Sequence, residues 1–334
     1  MRPPLYGLEA GRRRRRRRLP RLRLPPLAAV ALVLLAVLVA GSAFVAYRLW
    51  PLTDRGAGVI GPPVRAGHHH TNGTAPPASL TLRPLAAPNE SRAHIPGVRA
   101  TAGILVDSVS GSVLWGHEVH QRLPIASLTK LMTALLALDH GGIDRSFTVT
   151  PVMLGAPGYT VGLTAGERVT PRDMLAAALL ASGNDAADAL AVHSAGTVRR
   201  FVRRMNRRAA ALGLEDTRYS NPSGIIDAGN HSSAWDVASL SRTVLREKVL
   251  RHLVRRPSYR ARNGAVYLNR NPLVSTYLGA IGIKTGSTTA AGQCLAAAAR
   301  QHHRTLIAVL LHARGDPAAG AATLLDWGFA RSRS

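Results

Sequence analysis

The sequence has one cysteine, three lysines and few acidic side chains, and each shortage restricts the kinds of fold, site or partner to be considered. With Cys294 alone, no intramolecular disulfide can form, so the fold must rely on its hydrophobic core. We interpret Cys294, which lies in an apolar run, as a small buried hydrophobic residue. The histidines at 68–70 have neither cysteine nor acid nearby in the sequence, which favours a flexible linker over a metal site. We therefore expect no metal and no cofactor.

Acidic residues number 18 against 43 basic ones, which gives a net charge of +25. Eleven arginines fall within residues 1–48 against a single glutamate, and seven of them are consecutive at 12–18. Such a run is compatible with nucleic-acid binding. Because it comes shortly before an uncharged apolar segment, membrane topology and lipid contact explain it more simply, and we expect no nucleic-acid partner.

The apolar segment is residues 27–47, which carry no charge. At about 1.5 Å per residue they are long enough to cross a hydrocarbon layer of roughly 30 Å. Arginines on the N-terminal side predict a single-pass anchor with its N-terminus in the cytoplasm and the rest of the chain outside. The alternative is a cleaved signal peptide and a secreted protein, since Gly41 and Ala43 are small residues at plausible cleavage positions.

Composition divides the chain into four predicted parts. Residues 1–26 form an arginine-rich and proline-rich cytoplasmic segment, and residues 27–47 form the transmembrane anchor. Residues 48–96 are rich in Pro, Gly and Ala and predict a tether. Residues 97–334 suffice for one large α/β domain with a substantial core.

The positions of the few lysines indicate a catalytic site. Forty of the 43 cations are arginine, and Lys130 and Lys284 stand in short polar motifs, whereas Lys248 lies in an ordinary helical stretch. Arginine does not lose its proton in a protein, but a desolvated lysine can become a base. Lys130 follows Ser127 by three residues, a spacing that places the two side chains on one helix face about 5–6 Å apart. We interpret Lys130 as the proton acceptor for Ser127.

The local sequence places Ser127 at the start of a helix. Pro124 ends the preceding element, and residues 130–138 are rich in strong helix formers. The unpaired N–H groups of a first helical turn favour a developing oxyanion.

Three motifs follow in order: Ser127-x-x-Lys130, Ser182-Gly183-Asn184 and Lys284-Thr285-Gly286. This is the three-part signature of penicillin-binding proteins and serine β-lactamases. The blocks 126–133, 181–187 and 221–224 resemble more closely the D-alanyl-D-alanine carboxypeptidases, the low-molecular-mass penicillin-binding proteins. The resemblance covers roughly residues 97–315.

The resemblance implies a serine-type D-alanyl-D-alanine carboxypeptidase that removes the terminal D-alanine from peptidoglycan stem peptides and takes β-lactam antibiotics as covalent inhibitors. Ser127 would form the acyl-enzyme after Lys130 accepts its proton. Ser182 would relay a proton to the leaving amine, and Asn184 would hold Lys130 and the substrate amide. Further residues implied for substrate binding are Lys284 and Thr285 on the terminal carboxylate, Gly286 for close approach of the substrate backbone, and the Ser287 N–H as second oxyanion donor beside that of Ser127.

Two alternatives use the same site or its remains: a β-lactamase or D,D-endopeptidase, and a catalytically silent wall-binding protein. Glu167 does not lie in the loop typical of a deacylating glutamate, and we interpret it as a surface residue. Asp188 and His193 suggest a Ser/His/Asp triad, but with a lysine beside the serine we interpret both as helix surface.

The predicted fold is α/β (α+β) and β-lactamase/transpeptidase-like, with an antiparallel sheet flanked by helices and a mostly helical insertion. A hairpin is predicted at 103–115, helices from 127 to about 250, strands near 265–268, 281–285, 293–298 and 305–311, and a closing helix at 318–329. Paired arginines at 199–200, 203–204 and 207–208 predict one basic helix face. Such a face either is simply solvated or favours encounter with polyanionic wall or lipid.

Overall fold

The computed structural model describes residues 94–95, 97–225 and 229–331. The predicted cytoplasmic segment, the predicted anchor 27–47 and nearly all of the predicted tether lie outside these residues. In the part of the chain that the structure describes, no helix has both the length and the apolar character that a membrane crossing needs. Ile95, at the end of the predicted tether, is buried against the sheet.

Five antiparallel strands form the main sheet in the order β2-β1-β11-β10-β9. Its two N-terminal strands form the predicted hairpin, and its three C-terminal strands form a meander. Their bounds are β1 Ala100–Asp107, β2 Val113–His117, β9 Ala280–Thr288, β10 Gly292–Gln301 and β11 Arg304–Ala313.

Both faces of this sheet are covered, which explains why its central strands are apolar without interruption. On β10, Leu295, Ala297 and Ala299 pack into one hydrophobic cluster, whereas Cys294, Ala296 and Ala298 pack into another. Alternate side chains of a strand point to opposite faces, so an unbroken apolar run is expected where helices cover both. Helix α8 (Pro317–Ala330) covers the first face, and α5 (Ala234–Arg246) lies on the second.

The helical part lies between β2 and β9, and the remaining helices and strands belong to it. The other helices are α1 Lys130–Asp139, α2 Pro171–Ala176, α3 Asn184–Ala195, α4 Val198–Ala211, α6 Lys248–Val254 and α7 Leu273–Thr276. Short strand pairs link its loops: β3 Leu123–Pro124 with β6 His231–Ser232, β4 Phe147–Thr148 with β5 Arg168–Val169, and β7 Ser258–Arg260 with β8 Val266–Leu268. Single turns of 3₁₀ helix lie at Ala126–Thr129 and Pro151–Met153, and a π-helical turn lies at Ala177–Ala181.

The predicted hairpin, the strands near 265–268, 281–285, 293–298 and 305–311, and the closing helix are confirmed, with the first of these strands observed at Val266–Leu268. Strand β7 and the two-residue strands were not predicted, because segments this short carry no measurable alternation. The paired arginines lie on the exposed side of α4, whose buried side presents Phe201, Met205 and Ala209.

Candidate active site

Ser127 lies in the 3₁₀ turn Ala126–Thr129, which leads directly into α1. Its neighbours Ala126 and Leu128 are buried, whereas Ser127 is partly exposed, so the hydroxyl faces a cavity. Ala126 has a positive φ of 46°, a conformation that non-glycine residues rarely adopt. The turn that holds the serine is therefore fixed by surrounding contacts rather than by local preference.

Lys130, the first residue of α1, is fully buried. Its Nζ lies 2.9 Å from Ser127 Oγ, 2.8 Å from Asn184 Oδ1 and 2.8 Å from the carbonyl oxygen of Ser223. Among the described residues, Lys130 is the only hydrogen-bonding partner of the Ser127 hydroxyl. Burial holds the pKa of Lys130 well below its usual range, and the positive charge of Lys284 lowers it further.

These three contacts define where a lone pair of Lys130 would point. A neutral amine has two N–H donors and one lone pair. The Asn184 Oδ1 and Ser223 carbonyl oxygens can only accept, so they take the two N–H groups. The lone pair is then directed at Ser127 Oγ, whose O–H is able to donate. The geometry thus fits a base that accepts the serine proton.

The second motif lies between a π-helical turn and α3. Ser182 adopts the left-handed conformation with φ of 70°, and this reversal separates the turn from Asn184 at the start of α3. Asn184 donates through Nδ2 to the carbonyl oxygen of Pro157 at 2.7 Å, which orients Oδ1 towards Lys130. Both side chains are almost fully buried and both border the cavity.

The third motif is on β9, at the edge of the main sheet. Lys284 is 1% exposed, and its Nζ donates to Ser182 Oγ at 3.0 Å and to the carbonyl oxygen of Thr285 at 3.0 Å. Burial lowers the pKa of Lys284 to about 7, and the positive charge of Arg270 contributes to this shift. Lys284 therefore connects the third motif to the second.

Thr285, Gly286 and Ser287 line the cavity beside Ser127. A Cβ on Gly286 would lie 3.0 Å from the Ile125 carbonyl oxygen and 3.0 Å from the Ser127 nitrogen, closer than ordinary contacts. The 3₁₀ turn at 126–129 therefore leaves little room for a side chain here, which is a reason for glycine that the sequence alone did not indicate. Among the described residues β9 pairs only with β10, so its outer edge is free to pair with an extended peptide.

The loop 221–224, which the sequence indicated only through a resemblance, contacts Lys130 directly. Asn221 Oδ1 accepts from the N–H groups of Ser223 and Gly224, which shapes the loop so that the Ser223 carbonyl reaches Lys130. Gly224 has a φ of +79°, and a Cβ there would overlap the Ala126 carbonyl oxygen. The backbone of the loop therefore lies directly against the 3₁₀ turn at 126–129, and a glycine permits this approach.

The cavity has a volume of about 370 Å³. Its wall includes Arg270 and Tyr159, which the sequence analysis did not identify. The guanidinium carbon of Arg270 lies 3.9 Å from the centroid of the Tyr159 ring, a cation–π contact. Other lining residues are Ile225, Pro272, Gln293, Cys294, Leu295, Asp316, Pro317 and Ala318. Arg270 thus places a positive charge on the cavity wall, whereas Lys284 is buried behind that wall.

Asp188 and His193, interpreted as helix surface, lie on α3 and are the two residues of that helix that are not fully buried. Asp188 is partly buried on α3, where burial raises its pKa to about 6 while the charge of Lys130 opposes that rise. His193 is also partly buried, and its ring stacks on Phe147 with centroids 4.1 Å apart. Neither hydrogen-bonds Ser127.

Glu167 accepts from the backbone N–H of Thr164 and from Asn263 Nδ2, and it is not among the residues that line the cavity. Cys294 is buried, as expected, and its thiol donates to the carbonyl oxygen of Ala291 at 3.5 Å. The structure thus places six of the predicted site residues on the wall of one cavity: Ser127, Ser182, Asn184, Thr285, Gly286 and Ser287. Lys130 and Lys284 lie buried behind this wall, in hydrogen-bond contact with Ser127 and Ser182 respectively.

Comparisons with known proteins agree with this geometry. The family model described as D-alanyl-D-alanine carboxypeptidase matches residues 89–315. The D-alanyl-D-alanine carboxypeptidase DacF of Bacillus subtilis is 35% identical over 243 residues, which are 70% of this chain and 62% of that relative. The chain therefore spans less than two thirds of the length of this relative.

Solved structures show the same fold. A D-alanyl-D-alanine carboxypeptidase from Mycobacterium tuberculosis superposes with a TM-score of 0.67 at 34% identity, covering 71% of this chain and 94% of that one. Penicillin-binding protein 6B from Escherichia coli gives a TM-score of 0.66 at 34% identity, covering 73% of this chain and 81% of that one. These likenesses confirm the predicted fold. Since the family model matches more than half of this chain, the chain belongs to the D-alanyl-D-alanine carboxypeptidase family.

Proposed function

We propose that this chain is a serine D-alanyl-D-alanine carboxypeptidase that removes the terminal D-alanine from peptidoglycan stem peptides. One observation carries the proposal. Lys130 is buried, its pKa is lowered, and its two N–H groups have carbonyl acceptors, which leaves its lone pair for the Ser127 hydroxyl. A hydroxyl becomes a useful nucleophile when such a base is adjacent to it.

Acylation begins when Ser127 Oγ attacks the carbonyl carbon between the two terminal D-alanines and its proton passes to Lys130 Nζ. The tetrahedral oxyanion accepts hydrogen bonds from the backbone N–H groups of Ser127 and Ser287. The C–N bond then breaks, and the leaving amine of D-alanine takes a proton through the Ser182 hydroxyl. Ser182 suits this relay because its Oγ accepts from Lys284, so its own O–H remains available.

In deacylation Ser127 becomes the leaving group, while Lys130 again acts as the proton acceptor. Water attacks the ester carbon while Lys130 accepts its proton, and Ser127 Oγ leaves with a proton returned to it. A β-lactam reacts by the same first step, but its amide nitrogen stays tethered to the acyl group after the ring opens. The tethered group blocks the approach of water, so the adduct persists.

Substrate binding uses the free edge of β9 and the positive charges at the cavity. The terminal carboxylate of the substrate pairs with Lys284 in its protonated form and with the Thr285 hydroxyl. The pKa of Lys284, at about 7, rises when an anion binds, because an opposite charge nearby favours the charged form. Asn184 contacts the amide of the acyl side, since one N–H of its Nδ2 remains beyond the bond to Pro157.

The location is extracytoplasmic in this proposal, with residues 27–47 as an uncleaved membrane anchor and residues 48–96 as a tether. The support is the uncharged length of the segment and the arginines before it. Mass spectrometry of the protein isolated from cells should find the arginine-rich N-terminus intact. A mature chain that begins near Phe44 would instead indicate a cleaved, secreted enzyme.

The activity is tested with the purified full chain in detergent. We expect release of D-alanine from a peptide that ends in D-Ala-D-Ala, none from the same peptide ending in L-Ala, and a stable mass adduct with penicillin on Ser127. Rapid release of hydrolysed penicillin would indicate a β-lactamase. If no residue forms an adduct and no D-alanine is released, the protein is a catalytically silent wall-binding protein.

A further inference from the structure

The exposed side of α4 carries the densest positive charge in the described part of the chain. The helix has the sequence VRRFVRRMNRRAAA, with six arginines and no acid. Five of them are exposed and Arg208 is partly so; they are Arg199, Arg200, Arg203, Arg204, Arg207 and Arg208. At 100° per residue they cover about half of the helix circumference.

Little within the protein neutralises this charge. Arg208 lies 3.7 Å from Asp139, and Arg204 donates to the carbonyl oxygen of Ser194 at 2.7 Å. Arg199, Arg203 and Arg207 form no ion pair with any described residue. These three follow one another at a spacing of four, and like charges at that spacing destabilise a helix. The arrangement therefore lowers the stability of the helix, and no ion pair of these three arginines with a described residue offsets that loss.

The opposite side of α4 already has its partners. Phe201, Met205 and Ala209 are buried in the core, so the helix has no free apolar face to insert into a membrane. What remains available is a surface of guanidinium groups, which bind phosphate oxygens in a bidentate manner.

We propose that the arginine face of α4 docks on the phosphate headgroups of an anionic lipid bilayer. A bilayer is favoured over a soluble polyanion because the same chain contains the uncharged 27–47 segment, and this part of the argument rests on the proposed anchor. With residues 27–47 as the proposed anchor, the 49 residues 48–96 limit by chain connectivity how far the domain that carries α4 can move from the bilayer. Anionic leaflets attract such clusters by an amount that grows with each arginine.

The position of the face leaves the active site accessible. Asp139, the partner of Arg208, ends α1, whereas Ser127 and Lys130 lie at its beginning. Ten residues of helix separate these ends by about 15 Å. Docking through α4 therefore turns the end of α1 opposite to the nucleophile towards the lipid, and acylation by a soluble penicillin should not change.

The test uses the full chain on vesicles of phosphatidylcholine, with or without phosphatidylglycerol, that carry an acceptor dye on the headgroup. A donor dye is attached to Ala211→Cys, an exposed position at the end of α4. The native Cys294 should not react, because it is buried and its pKa is raised to about 11. We expect stronger energy transfer on anionic vesicles, and its loss at about 1 M salt, where the screening length is near 3 Å.

The test variant is R199Q/R203Q/R207Q, and it should weaken docking on the order of 10²-fold at low salt. The matched control is R168Q/R255Q/R300Q, which removes the same charge from three scattered, exposed positions and should weaken docking much less. Equal rates of penicillin acylation in both variants show that both are folded.

The proposal is overturned if both triple variants dock alike, or if energy transfer is equal on neutral and anionic vesicles. It is also overturned if only binding to soluble polyphosphate depends on the three arginines, since the partner is then a polymer. Failure of the proposed anchor has a different signature: the wild-type chain does not float with neutral vesicles. Comparisons on anionic vesicles remain valid in that case.

Discussion

Replacement of each buried lysine by arginine separates the two roles proposed for them. Lys130→Arg keeps a cation but removes any lone pair, because guanidinium does not lose its proton near neutral pH. General-base catalysis contributes on the order of 10²–10⁴-fold, so acylation by penicillin should fall by about that factor or more. Lys284→Arg keeps the charge that binds a carboxylate, and its loss should be smaller and come mainly from altered geometry.

The structure also indicates how to distinguish loss of the proton acceptor from steric disturbance by the larger arginine side chain. Lys130 is fully buried and has oxygen atoms at 2.8–2.9 Å on three sides, so arginine must disturb its surroundings. Lys130→Gln is the neutral control, because it is smaller than lysine and buries no charge. If acylation depends on the lone pair of Lys130, the acylation rates of the arginine and glutamine variants fall to a similar extent. Only the arginine variant should unfold at a clearly lower temperature.

The assay is rapid-mixing measurement of the acylation rate with a labelled penicillin, with thermal unfolding measured on the same samples. An acylation rate near that of the wild type for Lys130→Arg would show that Lys130 is not the base. A greater loss for Lys284→Arg than for Lys130→Arg would show that carboxylate binding, rather than proton transfer, limits the reaction.

Three further predictions concern the nucleophile, the carboxylate site and the loop behind it. Ser127→Ala should abolish the penicillin adduct in intact-protein mass spectra without lowering the unfolding temperature; an adduct on another residue refutes the assignment. Because burial lowers the pKa of Lys284 to about 7, kcat/KM for D-Ala-D-Ala peptides should fall as pH rises through that value. Arg270→Gln removes a charge that lowers this pKa, so the fall should move to higher pH; an unmoved profile contradicts the coupling. Gly224→Ala should cost about 1–3 kcal/mol of stability in urea unfolding and slow acylation, since its Cβ would overlap the Ala126 carbonyl. Gly213→Ala is the control, with a similar positive φ and no atom within 4 Å, and equal losses in the two would rule out the contact.

The sequence predicted the fold and the polar members of the site because both leave short-range signals. The β10 run from Cys294 to Ala299 is apolar at every position, which is what a strand covered on both faces requires. The serine and lysine of the first motif are one helical turn apart, so their contact follows from local geometry alone.

Arg270 and Tyr159 could not be predicted in this way. They are more than 100 residues apart, and their contact depends on how two loops cross the mouth of the cavity. The Arg270 N–H donates to the Leu180 carbonyl oxygen, so a tertiary backbone contact positions the side chain. Asp188 is a different case, because it lies four residues after Asn184 on α3. That spacing places both on one helix face, and it could have indicated that the charges of Asp188 and Lys130 influence each other.

The two buried lysines of the site differ in what sets their charge, although the charge of Lys284 also acts on Lys130. Burial disfavours two ammonium groups in one dry site, and the charge of Lys284 lowers the pKa of Lys130. A substrate carboxylate raises the pKa of Lys284 and so favours its charged form. The bound carboxylate offsets that charge at Lys130, so burial remains the main reason that Lys130 is neutral, with its lone pair directed at Ser127. The negative charges of Asp188 and Asp185 favour a protonated Lys130 and the positive charges of Lys284 and Arg270 oppose it, so burial, the largest influence, decides that this amine is held neutral beside the serine.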